Sequence, residues 1–229
     1  MRALAILLAA GQGTRLGRGM PKGFVRLRGR RLFEWSMDAL ERSPEVAAIQ
    51  RVLPPGFQGA SGGDPRLLPP VEGSARRQDS VARGLAAGLD ARPDLEWVLV
   101  HDAARCLVEP KDVASVLRAA QATGAALPVV PVSDTPKWLA DSGGHVERTL
   151  ERARLGLAQT PQAFRTSVLR EALDKAERDG FEGTDCASLV ERLGVEVRVC
   201  PGRAENFKVT YPEDLTRARA LLAKRRTRS

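Results

Sequence analysis

Residues 2–17 read Arg-Ala-Leu-Ala-Ile-Leu-Leu-Ala-Ala-Gly-Gln-Gly-Thr-Arg-Leu-Gly, and Pro21-Lys22 follow shortly after. The apolar residues predict a buried strand, and the small residues after it predict a loop. Glycines at positions 11 and 13 leave room for a ligand close to the backbone, and the N–H groups of such loops bind phosphate. Arg15 and Lys22 add two cations beside the loop. The stretch therefore predicts an α/β fold with a site for a nucleoside triphosphate.

Other phosphate-binding loops have different sequences. A Walker loop requires Gly-Lys-Ser/Thr, which does not follow this loop. A dinucleotide-binding fingerprint requires a third glycine three residues after Gly13, where this chain has Leu16. The alternative interpretation is a glycine-rich connection between a strand and a turn, without a ligand. The neighbouring cations favour phosphate binding over that alternative.

Length and composition predict one domain over residues 1–229, long enough to bury a substantial core. The apolar run at the amino terminus is too short to cross a membrane. We expect it to be a core strand rather than a signal peptide, and we expect a cytoplasmic protein with no membrane association. The three cysteines have no metal-ligand spacing, which fits a reducing compartment.

The formal net charge is +8, and part of it lies in a basic tail at residues 224–229. We expect that tail to be a solvated helix end. An excess of positive charge attracts nucleic acid non-specifically, but it equally suits a site that collects nucleotide phosphates. Aromatic residues make up 4% of the chain, which argues against a specific nucleic-acid partner bound by base stacking.

Strand and helix signals alternate along the chain, which predicts a largely parallel sheet flanked by helices. Core strands are predicted at residues 4–8, 47–53, 97–100, 125–132 and 195–199, with a short broken strand at 66–71. Helices are predicted from about 33 to 43 and over 79–89, 112–123, 166–178 and 184–193, with a last one starting at residue 212. A small hairpin is predicted at 24–32 and a loop at 54–65.

Two features of this pattern bear on function. Residues 134–152 interrupt the alternation, and Gly143-Gly144 predict the tip of a β-hairpin. Because an isolated hairpin is marginally stable in water, we expect it to pack on a partner subunit. The strand at 97–100 leads into His101-Asp102, and ligands of open α/β sheets bind at the carboxyl ends of strands. Asp102 is therefore predicted to face the site, whereas His101 has no nucleophile to serve and is predicted to be structural.

Several stretches together carry a stronger signal. They are the glycine-rich loop with Arg15 and Lys22, Gly73-Ser-Ala-Arg-Arg-Gln-Asp-Ser-Val81, His101-Asp-Ala-Ala-Arg105, Thr160-Pro-Gln162 and Gly202-Arg-Ala-Glu-Asn-Phe-Lys-Val-Thr210. In this order and at these separations, from about Leu4 to Leu215, they resemble the 2-C-methyl-D-erythritol 4-phosphate cytidylyltransferase family. Any one stretch is a weak signal, whereas the ordered set is specific.

The resemblance implies a GT-A/Rossmann-like α/β fold with residues 134–152 as a protruding β-arm that forms a homodimer. It implies dependence on a divalent ion, normally Mg²⁺. The implied reaction joins CTP to 2-C-methyl-D-erythritol 4-phosphate, a phosphorylated polyol, and releases pyrophosphate, in the non-mevalonate route to isoprenoid precursors. Such a transfer needs alignment and neutralisation of developing charge rather than a covalent intermediate.

The resemblance also implies roles for individual residues. Arg15 and Lys22 match the transition-state stabilisers of the family, and Arg152 and Lys208 match the groups that position the attacking phosphate. The implied nucleotide-binding residues are Ala9, Ala10, Gly11, Gly13, Gly73, Ser80, Asp102, Ala103 and Arg105, with Gly73 and Ser80 in the segment that reads cytosine. Asp102 is also the implied metal ligand, since Mg²⁺ prefers hard oxygen ligands.

The acceptor site is implied to use hydroxyl donors, namely Thr135, Thr160 and Thr184. Thr135 and Arg152 are implied to reach the site of the neighbouring subunit. Plain structural interpretations compete with these roles: Arg152 and Lys208 would be surface charges, Asp102 would cap a turn, and Thr184 would cap a helix.

The chain departs from the family pattern at four positions: Ser74 replaces a second glycine, Cys106 a proline, Cys186 a glutamate and Glu205 an aspartate. None of these changes removes a charged catalytic group, but Ser74 and Cys106 leave the geometry of base recognition open. Three other functions stay open as well. A ribitol-5-phosphate cytidylyltransferase would share the nucleotide loop, a sugar-1-phosphate nucleotidyltransferase would take another base, and a non-catalytic nucleotide- or nucleic-acid-binding module would not need Arg15 and Lys22 for turnover.

Overall fold

The computed structural model describes residues 1–57 and 63–226. The strands are β1 Ala3–Leu8, β2 Arg26–Leu27, β3 Arg30–Arg31, β4 Val46–Leu53, β5 Val71–Glu72, β6 Trp97–Asp102, β7 Ala125–Pro131, β8 Lys137–Leu139, β9 Val146–Thr149, β10 Gly156–Ala158, β11 Gln162–Arg165 and β12 Arg198–Pro201. The helices are α1 Leu32–Glu41, α2 Arg77–Ala91, α3 Pro110–Ala120, α4 Thr166–Arg178, α5 Cys186–Glu191 and α6 Pro212–Arg226. Parts of the predicted loop at 54–65 and of the basic tail at 224–229 lie outside the described residues.

An eight-stranded mixed sheet forms the centre of the molecule, in the order β10-β7-β11-β6-β1-β4-β5, with β12 paired to β7. β1 runs parallel to both β4 and β6, β5 parallel to β4, and β12 parallel to β7. β10 and β11 run antiparallel to their neighbours. The predicted α/β class with a largely parallel sheet is therefore confirmed, and the two short antiparallel strands β10 and β11 are additions to the predicted elements.

The sheet is covered on both faces because β1 is apolar on both faces. Ala3, Ala5 and Leu7 belong to a core with α1 and α3, whereas Leu4 and Ile6 belong to a core with α2, α4 and α5. This division follows from the alternation of side chains along a strand. In the parallel register Leu8 is the partner of Asp102 on one side and Val52 on the other. Three strands therefore end at the same edge of the sheet.

The predicted β-hairpin at 134–152 contains β8 and β9, which form a separate antiparallel pair. Gly143 and Gly144 lie in the connection with φ values of 68° and 81°, a conformation that glycine adopts without strain. Trp138, Leu139 and Val146 on this hairpin are about half exposed. Its role as a dimerising arm stays a prediction.

Most predicted helices and core strands agree with the observed ones to within three residues at each end. Three predicted elements are interrupted, shifted or shortened. The strand at 66–71 is reduced to a single bridge from Leu67 to Ile49 and the two-residue β5, since Pro69-Pro70 interrupt the ladder. The strand at 195–199 is shifted to β12. The helix at 184–193 is shortened to α5. It begins at Cys186 because the Asp185 side chain accepts a hydrogen bond from the N–H of Ser188 and caps the helix there.

Within the part of the chain that the structure describes, a search for helices long and apolar enough to cross a membrane finds none.

Candidate active site

A cleft of about 540 Å³ opens at the sheet edge where β1, β4 and β6 end. Its lining brings together most of the predicted site residues, namely Ala9, Ala10, Gly11, Gly13, Arg15, Lys22, Gly73, Ser80, Asp102, Ala103 and Lys208. These residues come from separate parts of the sequence. The carboxyl-end rule for open α/β sheets accounts for their convergence, because each of these strands delivers its following loop to the same place.

The loop after β1 folds back on itself and so brings Lys22 into the cleft. The N–H of Lys22 donates to the Gly11 carbonyl at 3.0 Å. Gly13 has a φ of 72°, and a Cβ at this position would lie 2.8 Å from Lys22 Cβ. Glycine is therefore required at position 13 both for its backbone conformation and for the close approach of Lys22.

Lys22 and Arg15 are cations without acidic partners among the described residues. Lys22 is 9% exposed, and burial, reinforced by Lys208 and Arg15, lowers its pKa from 10.5 to about 8. Arg15 is exposed, and its guanidinium carbon lies 5.8 Å from the centre of the Tyr211 ring. Because a buried ammonium is costly unless it is paired, this part of the cleft favours an anionic ligand.

The segment that follows β5 packs closely on the first loop. A Cβ at Gly73 would lie 2.3 Å from Ala10 Cβ, so this position admits only glycine without rearrangement. Ser80 lines the cleft, and its hydroxyl accepts a hydrogen bond from the Ser74 N–H at 2.8 Å and donates one to the Arg76 carbonyl at 3.2 Å. The Ser80 side chain thus fixes the shape of this segment.

Asp102 has a cation on each carboxylate oxygen. Lys208 Nζ donates to Oδ2 at 2.8 Å, and Arg77 Nη2 donates to Oδ1 at 3.1 Å. Burial alone would raise the pKa of Asp102, but Arg77 and Lys208 outweigh burial and hold the pKa well below its usual range. Asp102 is therefore ionised across the physiological range.

Thr160 supports Asp102 from behind and does not line the cleft. Its hydroxyl accepts a hydrogen bond from the Asp102 N–H at 3.1 Å and shares another with His101 Nδ1 at 2.9 Å. His101 is fully buried, and burial lowers its pKa to about 4. A neutral imidazole in this position braces the end of β6.

Four other predicted residues lie outside the cleft of their own chain. Arg105 donates to the carbonyls of Asn206 and Ala158, both at 3.0 Å, so its guanidinium ties together two backbone segments beside the site. The remaining three, Thr135, Arg152 and Thr184, are exposed. Arg152 donates to the Ser133 carbonyl at 2.8 Å, at the base of the hairpin. The structure of one chain does not bring these three residues to Lys22 and Asp102.

Arg77 is the functional candidate that the sequence analysis missed. It lines the cleft and contacts Asp102, whereas the adjacent Arg76 pairs with Asp79. The segment from Gly73 to Val81 carries a family motif, but nothing in its sequence separates the two arginines. Only the direction in which each leaves the start of α2 distinguishes them.

The donor set of the cleft fits a magnesium ion that arrives with a triphosphate. Asp102 is the one acidic residue in the cleft lining, and the described residues contain no group of three or more His, Cys, Asp or Glu that could hold a metal. Mg²⁺ keeps several waters and commonly binds through one or two carboxylates together with substrate phosphates. Each carboxylate oxygen accepts more than one contact, so Asp102 retains capacity beside Lys208.

The fold and the cleft define a nucleotidyltransferase-like α/β protein. A glycine-rich loop, two cations that pair with no acidic residue in the described part of the chain, and a carboxylate between two further cations meet where parallel strands end. This arrangement suits a triphosphate and a second phosphorylated substrate.

Comparison with known proteins identifies the family. Residues 3–224 match the sequence model of the family described as 2-C-methyl-D-erythritol 4-phosphate cytidylyltransferase. The chain belongs to this family, whose members are nucleotidyltransferase enzymes. The family resemblance drawn from the ordered motifs is thereby confirmed.

Relatives agree along the whole chain. The 2-C-methyl-D-erythritol 4-phosphate cytidylyltransferase of Thermus thermophilus is 45% identical over 221 residues, which cover 96% of this chain and 97% of that protein. A crystal structure of the enzyme from Thermus thermophilus superposes with a TM-score of 0.78 at 41% identity, covering 96% and 98% of the two chains. That of Francisella tularensis gives 0.81 at 26% identity, covering 95% and 98%.

Some relatives are longer. A protein named bifunctional enzyme IspD/IspF from Nitrobacter hamburgensis is 44% identical over 227 residues, which cover 97% of this chain and 55% of that protein. The chain therefore spans about half the length of the bifunctional relatives that it matches.

Proposed function

We propose that this protein joins CTP to 2-C-methyl-D-erythritol 4-phosphate, giving 4-diphosphocytidyl-2-C-methyl-D-erythritol and pyrophosphate, a step of non-mevalonate isoprenoid precursor synthesis. The observation that carries the proposal is the family match over residues 3–224. The cleft supports it independently, because the described residues that line it include four cationic side chains, Arg15, Lys22, Arg77 and Lys208, and one carboxylate, Asp102. Two phosphorylated substrates need such an excess of positive charge.

In the proposed reaction, an oxygen of the acceptor phosphate attacks the α-phosphorus of CTP in line. A new P–O bond forms as the bond between the α-phosphorus and the bridging oxygen to the β-phosphate breaks, and pyrophosphate leaves with the electron pair. Lys22 and Arg15 would stabilise the charge that develops during this transfer. A preorganised cation stabilises a transition state most when no carboxylate of the protein competes for it. Lys22 has no such carboxylate partner among the described residues.

Recognition of the substrates is proposed to divide between two parts of the cleft. Backbone groups of the loop at 9–13 and of the segment around Gly73, held by Ser80, would bind the nucleotide. Ala103 and Arg105 belong to the turn beside them, and Arg105 would act there by holding backbone rather than by touching nucleotide. Lys208 would hold the acceptor phosphate, with the hydroxyl groups of Thr135 and Thr184 as the proposed acceptor contacts. Thr160, predicted as a third contact, is buried with its hydroxyl on Asp102 and His101, so it would act on the acceptor side through Asp102.

A magnesium ion is proposed as the cofactor, with Asp102 as the residue that would hold it together with the triphosphate. When bound, this ion would neutralise phosphate charge and favour departure of pyrophosphate. The protein is proposed to act in the cytoplasm.

We further propose a homodimer formed through the hairpin of β8 and β9. Arg152 and Thr135 lie at the hairpin base and outside the cleft of their own chain, which fits a contribution to the site of a second copy. The exposed Trp138, Leu139 and Val146 on the hairpin fit burial against that copy.

Pyrophosphate release by the purified protein with Mg²⁺ and CTP tests the reaction. Release with 2-C-methyl-D-erythritol 4-phosphate, but not with ribitol 5-phosphate, is the expected result. Release with ribitol 5-phosphate alone would assign the chain to that acceptor instead. No release with either acceptor, across CTP, ATP, GTP and UTP, would reject catalysis.

Mixing two inactive variants tests the shared site. Lys22→Ala and Arg152→Ala protein, unfolded and refolded together, should recover part of the activity, since one site of each mixed dimer would have both residues. Refolded single variants serve as controls. Absence of recovery in a sample shown to contain mixed dimers would contradict a site built from two subunits.

A further inference from the structure

One cation of the cleft has no role in the reaction proposed above. Arg77, the first residue of α2, sends its guanidinium to Asp102 at the end of β6. Its Nε and Nη2 both donate to Oδ1, at 3.3 and 3.1 Å, while Lys208 Nζ donates to Oδ2 at 2.8 Å. Each oxygen of the Asp102 carboxylate is therefore assigned to a different cation.

The two cations differ in how firmly they are held. The side chain of Arg77 is 25% exposed and that of Asp102 13%, whereas that of Lys208 is 41% exposed. Asp102 is also fixed through its backbone N–H by Thr160. Arg77 and Asp102 thus form the rigid part of the cluster, and Lys208 is the part that is free to meet a ligand.

On its other side Arg77 meets a neutral group. Its Nη1 donates to Cys186 Sγ at 3.4 Å, and this thiol is buried at the start of α5. A thiol is a weak hydrogen-bond acceptor. Among the described residues, Asp102 is therefore the one carboxylate paired with Arg77, and the guanidinium is not divided between two acids.

We propose that Arg77 is a positioning residue that orients the Asp102 carboxylate so that Oδ2 holds Lys208 at the acceptor side of the cleft. This inference rests on the proposed function, in which Lys208 positions the attacking phosphate. Lysine is a flexible point charge, so its direction depends on the anchor that it contacts. Without Arg77 the carboxylate turns with Lys208, and the ammonium is no longer presented to the acceptor phosphate in one place.

Initial rates of pyrophosphate release, with each substrate varied in turn, test this inference on Arg77→Met, Lys208→Met and the double variant. Arg77→Met should raise KM for the acceptor on the order of 10-fold or more, as expected for loss of a charge-assisted contact. KM for CTP, measured at saturating Mg²⁺, should rise clearly less than KM for the acceptor, because the backbone of the loop at 9–13 and of the segment around Gly73 is proposed to hold the nucleotide without Arg77. In the Lys208→Met background, Arg77→Met should add no further increase, because the residue through which it acts is gone.

Two further variants keep the test decisive. Arg77→Lys retains one cationic donor and should recover part of the acceptor affinity. If Arg77→Met does not fold, Arg77→Lys takes its place in the comparison of KM for the acceptor with KM for CTP, alone and combined with Lys208→Met. Cys186→Ser removes the thiol and leaves the contacts to Asp102, so it should match the wild type.

Additive effects of Arg77→Met and Lys208→Met would overturn the inference, as would an equal rise in KM for CTP. A rise in acceptor KM for Lys208→Met with none for Arg77→Met would overturn it while leaving the proposed function intact. A wild-type protein that releases no pyrophosphate with methylerythritol phosphate would reject the proposed function itself, and the inference with it.

Discussion

Replacing Lys22 with methionine should abolish most catalysis and yet stabilise the fold. Lys22 is 9% exposed, and its ammonium pairs with no carboxylate among the described residues. Its environment favours the neutral form, and the charged form at neutral pH is maintained at a cost to folding. Methionine has a similar shape and no charge, so the variant keeps the packing and removes that cost.

The magnitude follows from the pKa of Lys22, which is lowered from 10.5 to about 8. At ~1.36 kcal/mol per pH unit this corresponds to at most about 3 kcal/mol of unfolding free energy at pH 7. Between pH 8 and 10.5 the unfolded chain binds this proton and the folded protein does not, so the wild type gains stability as pH rises through that window. The advantage of Lys22→Met should therefore shrink from pH 8 upwards.

Urea denaturation followed by tryptophan fluorescence, at several values between pH 7 and pH 9.5, measures the difference. Lys111→Met is the matched control, because Lys111 is 67% exposed on α3 and its surface ion pair with Glu109 contributes little to stability. In parallel, kcat/KM of the wild type should fall above a pH of about 8, because Lys22 in the enzyme without substrate loses its proton there. A Lys22→Met variant no more stable than wild type at pH 7 would refute the argument from burial.

Three other variants test the geometry of the cleft. Gly13→Ala should lower kcat by more than its effect on stability explains, because the new Cβ would lie 2.8 Å from Lys22 Cβ. Gly17→Ala is the control, since Gly17 has a φ of 64° and a Cβ there would meet nothing within 4 Å. Equal losses of kcat in the two variants would contradict a specific effect on Lys22. Arg105→Met should cost about 2 kcal/mol in urea denaturation, since it removes two charge-assisted bonds to backbone carbonyls. A weaker CTP affinity at unchanged stability would instead place Arg105 on the nucleotide. Ser80→Ala should lower the free energy of unfolding by about 1 kcal/mol and raise KM for CTP in initial-rate assays, because the Ser74 N–H loses its hydrogen bond to the Ser80 hydroxyl. An unchanged KM for CTP would show that this hydrogen bond does not contribute to nucleotide binding.

Local sequence signals were sufficient for the parts of the site that depend on one strand and the loop after it. The apolar run before Gly11 predicted β1, and the position of Asp102 after residues 97–100 predicted its place at the carboxyl edge. Both predictions needed only the period of side chains along a strand and the rule for open α/β sheets. The same loop also places Lys22 in the cleft. The chain turns back after Gly13, and this turn brings Lys22 close to Gly13.

The remaining features depend on contacts between segments far apart in the chain. Thr160 braces Asp102 across 58 residues, and Arg77 reaches it across 25. Neither contact has a period or a spacing that a sequence shows. β10 and β11 are short and lie on either side of Pro161, so their pairing becomes visible only when β6 and β7 are in place. Sequence reasoning therefore found which stretches meet, but not which side chains within them touch.

The distribution of charge in the cleft explains why these long-range contacts matter. Lys22 and Arg15 have no acidic partner among the described residues, whereas Lys208 and Arg77 share Asp102. In the proposed reaction the first pair would stay available for the charge that develops during transfer, and the burial of Lys22 is a cost that an anionic ligand relieves on binding. The positive charge of Lys208 and Arg77 is partly neutralised by Asp102. Their ion pairs with Asp102 fix their positions but weaken the positive potential that they contribute to the cleft. In the proposed reaction, the carboxylate of Asp102 between two cations would thus divide the cleft into a region that stabilises developing charge and a region that orients the acceptor phosphate.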